Sequence, residues 1–229
     1  MQPKPPKKPK ARKHQGVRKV VRRGHGSFVG YFPSSKSQEI VPYESTLEQD
    51  FLHRAEVDAE ITAIRAQPTW LKWDDDGTSR SHAPDFEIIR SGQKEYVEVK
   101  FLQMANTEAV QRRTASLSRS LVATSCGYSL LSEDTIRTEP QLGNAKVLLN
   151  GHGQMPAASI RKEVLNFIQK AEEPTPIRDI VSALGKPPSF VNAIYALIIT
   201  GDLEIADPLK AFNRHSTVRL RHHQQEIAA

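Results

Sequence analysis

The chain has 229 residues, 38% apolar and 25% charged, an ordinary globular composition with room for one large domain or two modest ones. Its single cysteine, Cys126, excludes an intrachain disulfide and a cysteine-rich zinc cluster, reads as a small buried apolar residue, and the eight histidines show no Cys/His ligand spacing. The longest apolar run, Tyr195 to Ile199, is far short of the roughly 18 residues of a membrane helix, and the basic N-terminus leads into no apolar signal core, so the expected compartment is the cytoplasm.

The net charge of +6 is concentrated at one end. Ten of the 32 Lys and Arg residues lie in residues 1–23, which hold no acid, leaving residues 24–229 with 22 basic against 26 acidic side chains. Residues 1–24, basic and proline-rich, read as a disordered arm that runs along a phosphate backbone, with Lys7, Lys8, Lys10, Arg12, Lys13, Arg18, Lys19, Arg22 and Arg23 as its DNA contacts. A solubilising leader or a nuclear address signal has the same composition.

After the arm, Ser27 to Phe32 and Gln38 to Tyr43 predict two short strands around a turn at Pro33 to Lys36. From Ser45 a helical pattern begins, with Leu47, Phe51 and Ala55 on one face and Glu48, Arg54 and Asp58 off it, fading near Ala59. Ile61 to Trp73 reads as extended, interrupted at Gln67-Pro68 and closed by the polar turn Asp74 to Gly77. Pro84 to Arg90 and Glu95 to Lys100 predict a β-hairpin turning at Gly92-Gln93. Residues 103–123 read as one helix, Gly127 to Leu131 as a strand and Leu142 to Leu149 as a helix. Gly151 to Pro156 has the composition of a linker. Beyond it, three helical patterns run from Ile160 to Ala171, from Ile177 to Leu184 (Thr175 as N-cap, Gly185 as stop) and from Ser189 to Thr200. Short strands at Leu203 to Ile205 and Thr217 to Leu220 follow, which is the element order of a winged-helix-like domain over 157–221.

The hairpin carries the chemistry. With Gly92-Gln93 as its turn, Glu87 faces Glu98 and Asp85 faces Lys100, so Asp85, Glu87, Glu98 and Lys100 share one face while Phe86, Ile88, Val97 and Val99 enter a core. Three carboxylates and an ammonium on one patch repel one another without a partner ion but suit a divalent cation. Such an ion polarises a phosphodiester and lowers the pKa of water, and a neighbouring lysine stabilises the developing charge. A solvated charged face gives the same alternation.

Pro84-Asp85, twelve intervening residues, then Glu98-Val99-Lys100 resembles the PD-(D/E)xK nuclease motif. Together with Tyr43 to Glu48, Gln67-Pro68 and Ala83 to Phe86 upstream, the order resembles TnsA, the endonuclease subunit of heteromeric transposons, over roughly residues 25 to 150 with a weaker echo to about 220. The resemblance implies an α/β fold, a restriction-endonuclease-like mixed sheet flanked by helices over 25–150, with the small C-terminal winged-helix-like domain after it. It implies cutting of the 5′ strands at transposon ends with one or two Mg²⁺ (or Mn²⁺) ions. By position, Glu48, Asp85 and Glu98 would be metal ligands, and Lys100 the catalytic lysine. Some relatives carry glutamine where Glu98 stands. The implied partners are double-stranded DNA, a DDE-type transposase subunit and an AAA+ regulator.

Ser45-Thr46-Leu47-Glu48 is also a capping box, a role compatible with ion binding by Glu48. Gln67 and His82 read as structural or phosphate-facing. The third C-terminal helix has no basic residue between Phe190 and Thr200, only Asn192 to meet a base edge, and so reads as a protein-docking element; Lys210, Arg214, His215, Arg219 and Arg221 remain for backbone contacts. Two other readings use the same residues: a nuclease of this fold in restriction, repair or phage defence, and a non-catalytic winged-helix DNA-binding regulator.

Overall fold

The computed structural model describes residues 16–17, 28–75, 77–151, 155–171 and 174–221. The nine basic side chains expected to contact DNA, from Lys7 to Arg23, lie outside the described residues.

Strands β1 (Gly30–Phe32) and β2 (Val41–Tyr43) pair antiparallel, as the turn residues between them predict. Helix α1 (Thr46–Val57) starts at Ser45, whose extended backbone and side-chain oxygen, accepting from the Glu48 N–H, make the cap legible in the sequence. Its Leu47, Phe51, Leu52 and Ala55 are buried against the central sheet. Phe51 stacks on Phe86 at 5.1 Å between ring centroids.

That sheet contains β3 (Ile61–Ala66), β6 (Phe86–Arg90), β7 (Gln93–Val99) and β8 (Gly127–Leu131) in the order β3-β6-β7-β8. The first three are mutually antiparallel and β8 joins β7 in parallel, so the sheet is mixed. Strands β4 (Leu71–Asp75) and β5 (Thr78–His82) form a separate antiparallel ribbon. The sequence reading has β4 but not β5: Thr78-Ser79-Arg80-Ser81-His82 lacks apolar alternation, and its signal is the Asp76-Gly77 dipeptide, with Gly77 at φ +83°.

The expected single helix over 103–123 is broken into α2 (Leu102–Ala105) and α3 (Glu108–Leu121), followed by a turn of 3₁₀ helix. The break falls at Asn106-Thr107, where the Thr107 hydroxyl donates to the Met104 carbonyl at 2.8 Å and holds the chain out of register. Helix α3 covers the sheet face opposite α1, with Leu117 buried among Leu71 and Tyr96.

The hairpin turn also differs from expectation. Arg90 pairs with Gln93, so the two turn residues are Ser91 and Gly92, not Gly92 and Gln93, and Glu87 faces Tyr96 instead of Glu98. Both turn residues have positive φ, +48° and +78°, the condition of a tight turn matched to strand twist, and Ser91 is held there by its N–H on the Glu60 carbonyl. The register moves by two residues, which preserves the face of every side chain. Space is open around Gly92, so the cost of Gly92→Val is backbone strain alone. Urea unfolding should show a loss of about 1–2 kcal/mol; no change would contradict the turn.

Helices α4 (Glu133–Ile136) and α5 (Gln141–Gly151) return the chain to α1, where Asp50 on α1 pairs with Arg137 and Lys146 at 2.8 Å each. A second core follows, built from α6 (Ala158–Ala171), β9 (Thr175–Pro176), α7 (Ile177–Ala183), α8 (Val191–Ile199), β10 (Leu203–Ile205) and β11 (Thr217–Leu220). The strands order as β10-β11-β9, all antiparallel. Thr175 is therefore a strand residue, and Pro176, which fixes φ near the helical value and lacks a donor, occupies the N-cap of α7. Helix α5 serves both cores: Leu148 is buried in the second and Leu149 packs against each. The Asn144 side chain, at 2.7 Å from the Phe212 N–H and 2.9 Å from the Lys210 carbonyl, reinforces that join. Among the described residues no helix is long and apolar enough to cross a membrane.

Candidate active site

The four expected residues come together at one end of the central sheet, where β6 begins and β7 ends. Continuing the hairpin register one step past Phe86–Val97 sets Asp85 opposite Glu98. Lys100 follows β7 and stays paired to β8 through its N–H on the Leu131 carbonyl at 3.0 Å. Pleating sends Phe86, Ile88, Val97 and Val99 into the α1-side core and Tyr96 and Glu98 toward α3.

Asp85 is 8% exposed and accepts the Val99 N–H at 2.9 Å and the Lys100 ammonium at 3.5 Å through one oxygen, Oδ2. Glu48 arrives from the first turn of α1, its carboxylate accepting the Glu44 N–H at 2.8 Å and the Ser45 hydroxyl at 3.1 Å. The capping role and the position beside Asp85 thus coexist. Burial first, then the charge of Asp85, pushes the Glu48 carboxyl up to about 7. Burial first, then the charge of Glu98, pushes Asp85 up to about 6 against the pull of Lys100. In each, burial and a neighbouring carboxylate outweigh the groups that favour the charged form.

Glu98 is in the opposite condition. It is 1% exposed, and its oxygens meet Lys100 Nζ at 2.7 Å, Arg113 Nη2 at 3.2 Å and His82 Nε2 at 2.6 Å. Burial, the largest single influence, would raise its pKa, but the His82 hydrogen bond and the Lys100 charge together hold it below the usual carboxylate value. Burial also pulls on Lys100, and the charges of Asp85, Glu98 and Glu48 outweigh it, so the ammonium is retained above its ordinary value.

Three further groups surround these four. His82 ends β5, and Arg113 lies on α3; the sequence offers no signal for Arg113, one of several arginines on that helix, because its role depends on how α3 packs. The Tyr128 hydroxyl on β8 and Arg113 Nε are buried with no hydrogen-bond partner among the described residues. Burial and then the Glu98 charge raise the Tyr128 pKa well above its usual value. Gln67, 4% exposed, has φ +44°, donates its N–H to the Asp85 carbonyl at 2.8 Å and accepts the Val17 N–H at 3.1 Å. Strained backbone of this kind persists only when its surroundings enforce it. Glu87 is a step removed along the strand, paired to Lys94 at 3.2 Å.

Among the described residues no three His, Cys, Asp or Glu side chains form a ready metal cage. The donor set still fits a hydrated divalent ion, since Mg²⁺ commonly takes only one or two protein carboxylates and completes its shell with water and substrate oxygens. Glu48 and Asp85 are the pair whose raised pKa values a cation would relieve. A cavity of about 570 Å³ between α1, α5 and the second core, lined by Ala55, Ile136, Leu148, Ile198 and Leu203, includes none of the four residues. Comparison with protein-family models and with curated proteins gives no match for this chain.

Proposed function

We propose that the chain is a magnesium-dependent DNA endonuclease of the PD-(D/E)xK type that cuts the 5′ strands at transposon ends, as the TnsA-like partner of a DDE-type transposase and an AAA+ regulator. The observation that carries this reading is the placement of Glu48, fixed at a helix start, within charge reach of Asp85 and Lys100, which meet on a hairpin at 3.5 Å, in the motif's order. Glu48 and Asp85 would hold the ion, which when bound supplies a polarised phosphate and an activated water. Lys100, kept as an ammonium, offers its positive charge where negative charge builds on the phosphoryl oxygens. Asp85 is held in place by the Val99 N–H, and Glu48 by the helix start, so neither must reorganise when an ion enters.

In this reading residues 1–24 are a basic arm, 25–150 a restriction-endonuclease-like domain and 157–221 a winged-helix-like domain of a cytoplasmic protein. The central helix of that second domain supports protein docking over base reading: residues Ile194 to Ile199 are all buried, and only Asn192 among the polar residues of α8 is exposed. Its strand arginine, Arg219, is engaged by Glu204 at 2.6 Å.

A nicking assay on duplex carrying element ends, with magnesium and the transposase subunit added, tests the function. Strand-specific 5′ nicks that require both additions are expected. Robust cutting by the chain alone would move it to a restriction, repair or defence nuclease, and no cutting with the partner present would reject the hydrolase.

A further inference from the structure

We infer that Glu98 is a positioning residue, clamped by His82 and Arg113 so that it fixes the Lys100 ammonium, and that it does not ligate the cation. The inference rests on the reading of Glu48, Asp85 and Lys100 as a hydrolytic site.

Three of the acceptor sites of Glu98 are already committed. Oε1 receives both Lys100 Nζ and Arg113 Nη2, and Oε2 is bonded to His82 Nε2. A carboxylate has about four acceptor sites in all. The residue is 1% exposed, so an ion carrying its waters has no open approach. Its three partners come from β5, the end of β7 and α3, so Glu98 ties three elements together. Opposite sits the pair Glu48 and Asp85, where among the described residues Lys100, at 3.5 Å from Asp85 Oδ2, is the ion-pair partner.

Lysine has a flexible four-carbon stem, so an ammonium that must act at one point needs its protons directed. Lys100 Nζ has three acceptors, Glu98 Oε1 at 2.7 Å, the Val99 carbonyl at 3.2 Å and Asp85 Oδ2 at 3.5 Å. Three acceptors match the three N–H bonds. Glu98 supplies the shortest of them, and the longest, to Asp85, is the one most readily exchanged for a substrate oxygen. Glu98 is itself held on the far side by Arg113 and His82, so the anchor does not swing with the lysine. Arg113 and His82 thereby act on the reaction through Glu98 without touching substrate.

Calorimetric titration of the full chain with Mn²⁺ alone separates ligand from anchor. Glu98→Gln, equal in size, is expected to keep Mn²⁺ affinity within about threefold of the parent, whereas Asp85→Asn loses at least about tenfold. With the transposase subunit present, Arg113→Leu, which leaves Glu98 intact, should lower the nicking rate at least about tenfold at unchanged KM and Mn²⁺ affinity, and Arg113→Lys should restore part of it. An affinity loss in Glu98→Gln as large as that in Asp85→Asn, or a nicking rate unmoved by Arg113→Leu, overturns the clamp while leaving the hydrolase reading intact. A parent protein that neither binds Mn²⁺ nor nicks overturns both.

Discussion

Asp85→Ala protein is expected to lose strand cleavage by at least about 10³-fold, and Lys100→Ala protein by roughly 10²–10³-fold, the scale seen when a preorganised charge is removed from a transition state. The two losses have different origins. Asp85 is the one carboxylate in electrostatic contact with all the others: its charge raises Glu48, it is raised by Glu98, and its Oδ2 faces Lys100. In the proposed reading its removal takes away one of the two ion ligands and the charge that links the helix to the hairpin. Lys100→Ala leaves the ligand pair but strands Glu98 with one fewer cation, so its Mn²⁺ affinity should stay close to the parent's. Single-turnover nicking rates with the partner present make the comparison; undiminished cutting by either variant would remove the assigned roles.

Glu48→Gln is expected to stabilise the ion-free protein at pH 8 while abolishing its activity. The folded-state pKa values of Glu48 and Asp85 lie above those of the unfolded chain, about 7 and about 6. Between about pH 4 and pH 7 the folded state therefore binds more protons than the unfolded state, and stability falls as pH rises through that window. Above it the full penalty of two facing negative charges remains. Glutamine at position 48 removes one charge and retains an oxygen to accept the Glu44 N–H. The gain at pH 8 in EDTA should be on the order of 1–3 kcal/mol, a rise in Tm of roughly 3–10 °C, and should vanish near pH 4.5. Thermal melts at the two pH values decide it: equal Tm at pH 8, or the same gain at both, would contradict the raised pKa of Glu48. A site that weakens the fold for the sake of its chemistry is the usual bargain of an active centre.

Much of this geometry was legible before any coordinates. The alternation from Phe86 to Arg90 and from Glu95 to Lys100 separates core from charged face whatever the turn, because a two-residue slip of register leaves each side chain on its side. The Ser45 cap could be read directly, since it depends on residues three apart. The ribbon strand β5 was hidden by its polar composition, and the break between α2 and α3 by an apolar pattern that runs through Asn106-Thr107. Least visible were the groups that hold Glu98. Arg113 and His82 lie 15 and 16 residues away on other elements; His82 stands out only by its closeness in sequence to Asp85, and nothing local distinguishes Arg113 from the other arginines of α3. A motif names its carboxylates, whereas which of them remains short of positive charge is decided by tertiary packing.

The central claim, that carboxylates from a helix and a hairpin share one cation, is tested most directly by diffraction from crystals soaked in Mn²⁺, using the anomalous signal of manganese. The expected map has a peak bonded to oxygens of both Glu48 and Asp85, with Lys100 beside it and Glu98 still engaged by His82 and Arg113. A map with no peak between Glu48 and Asp85 at millimolar Mn²⁺ would contradict the account.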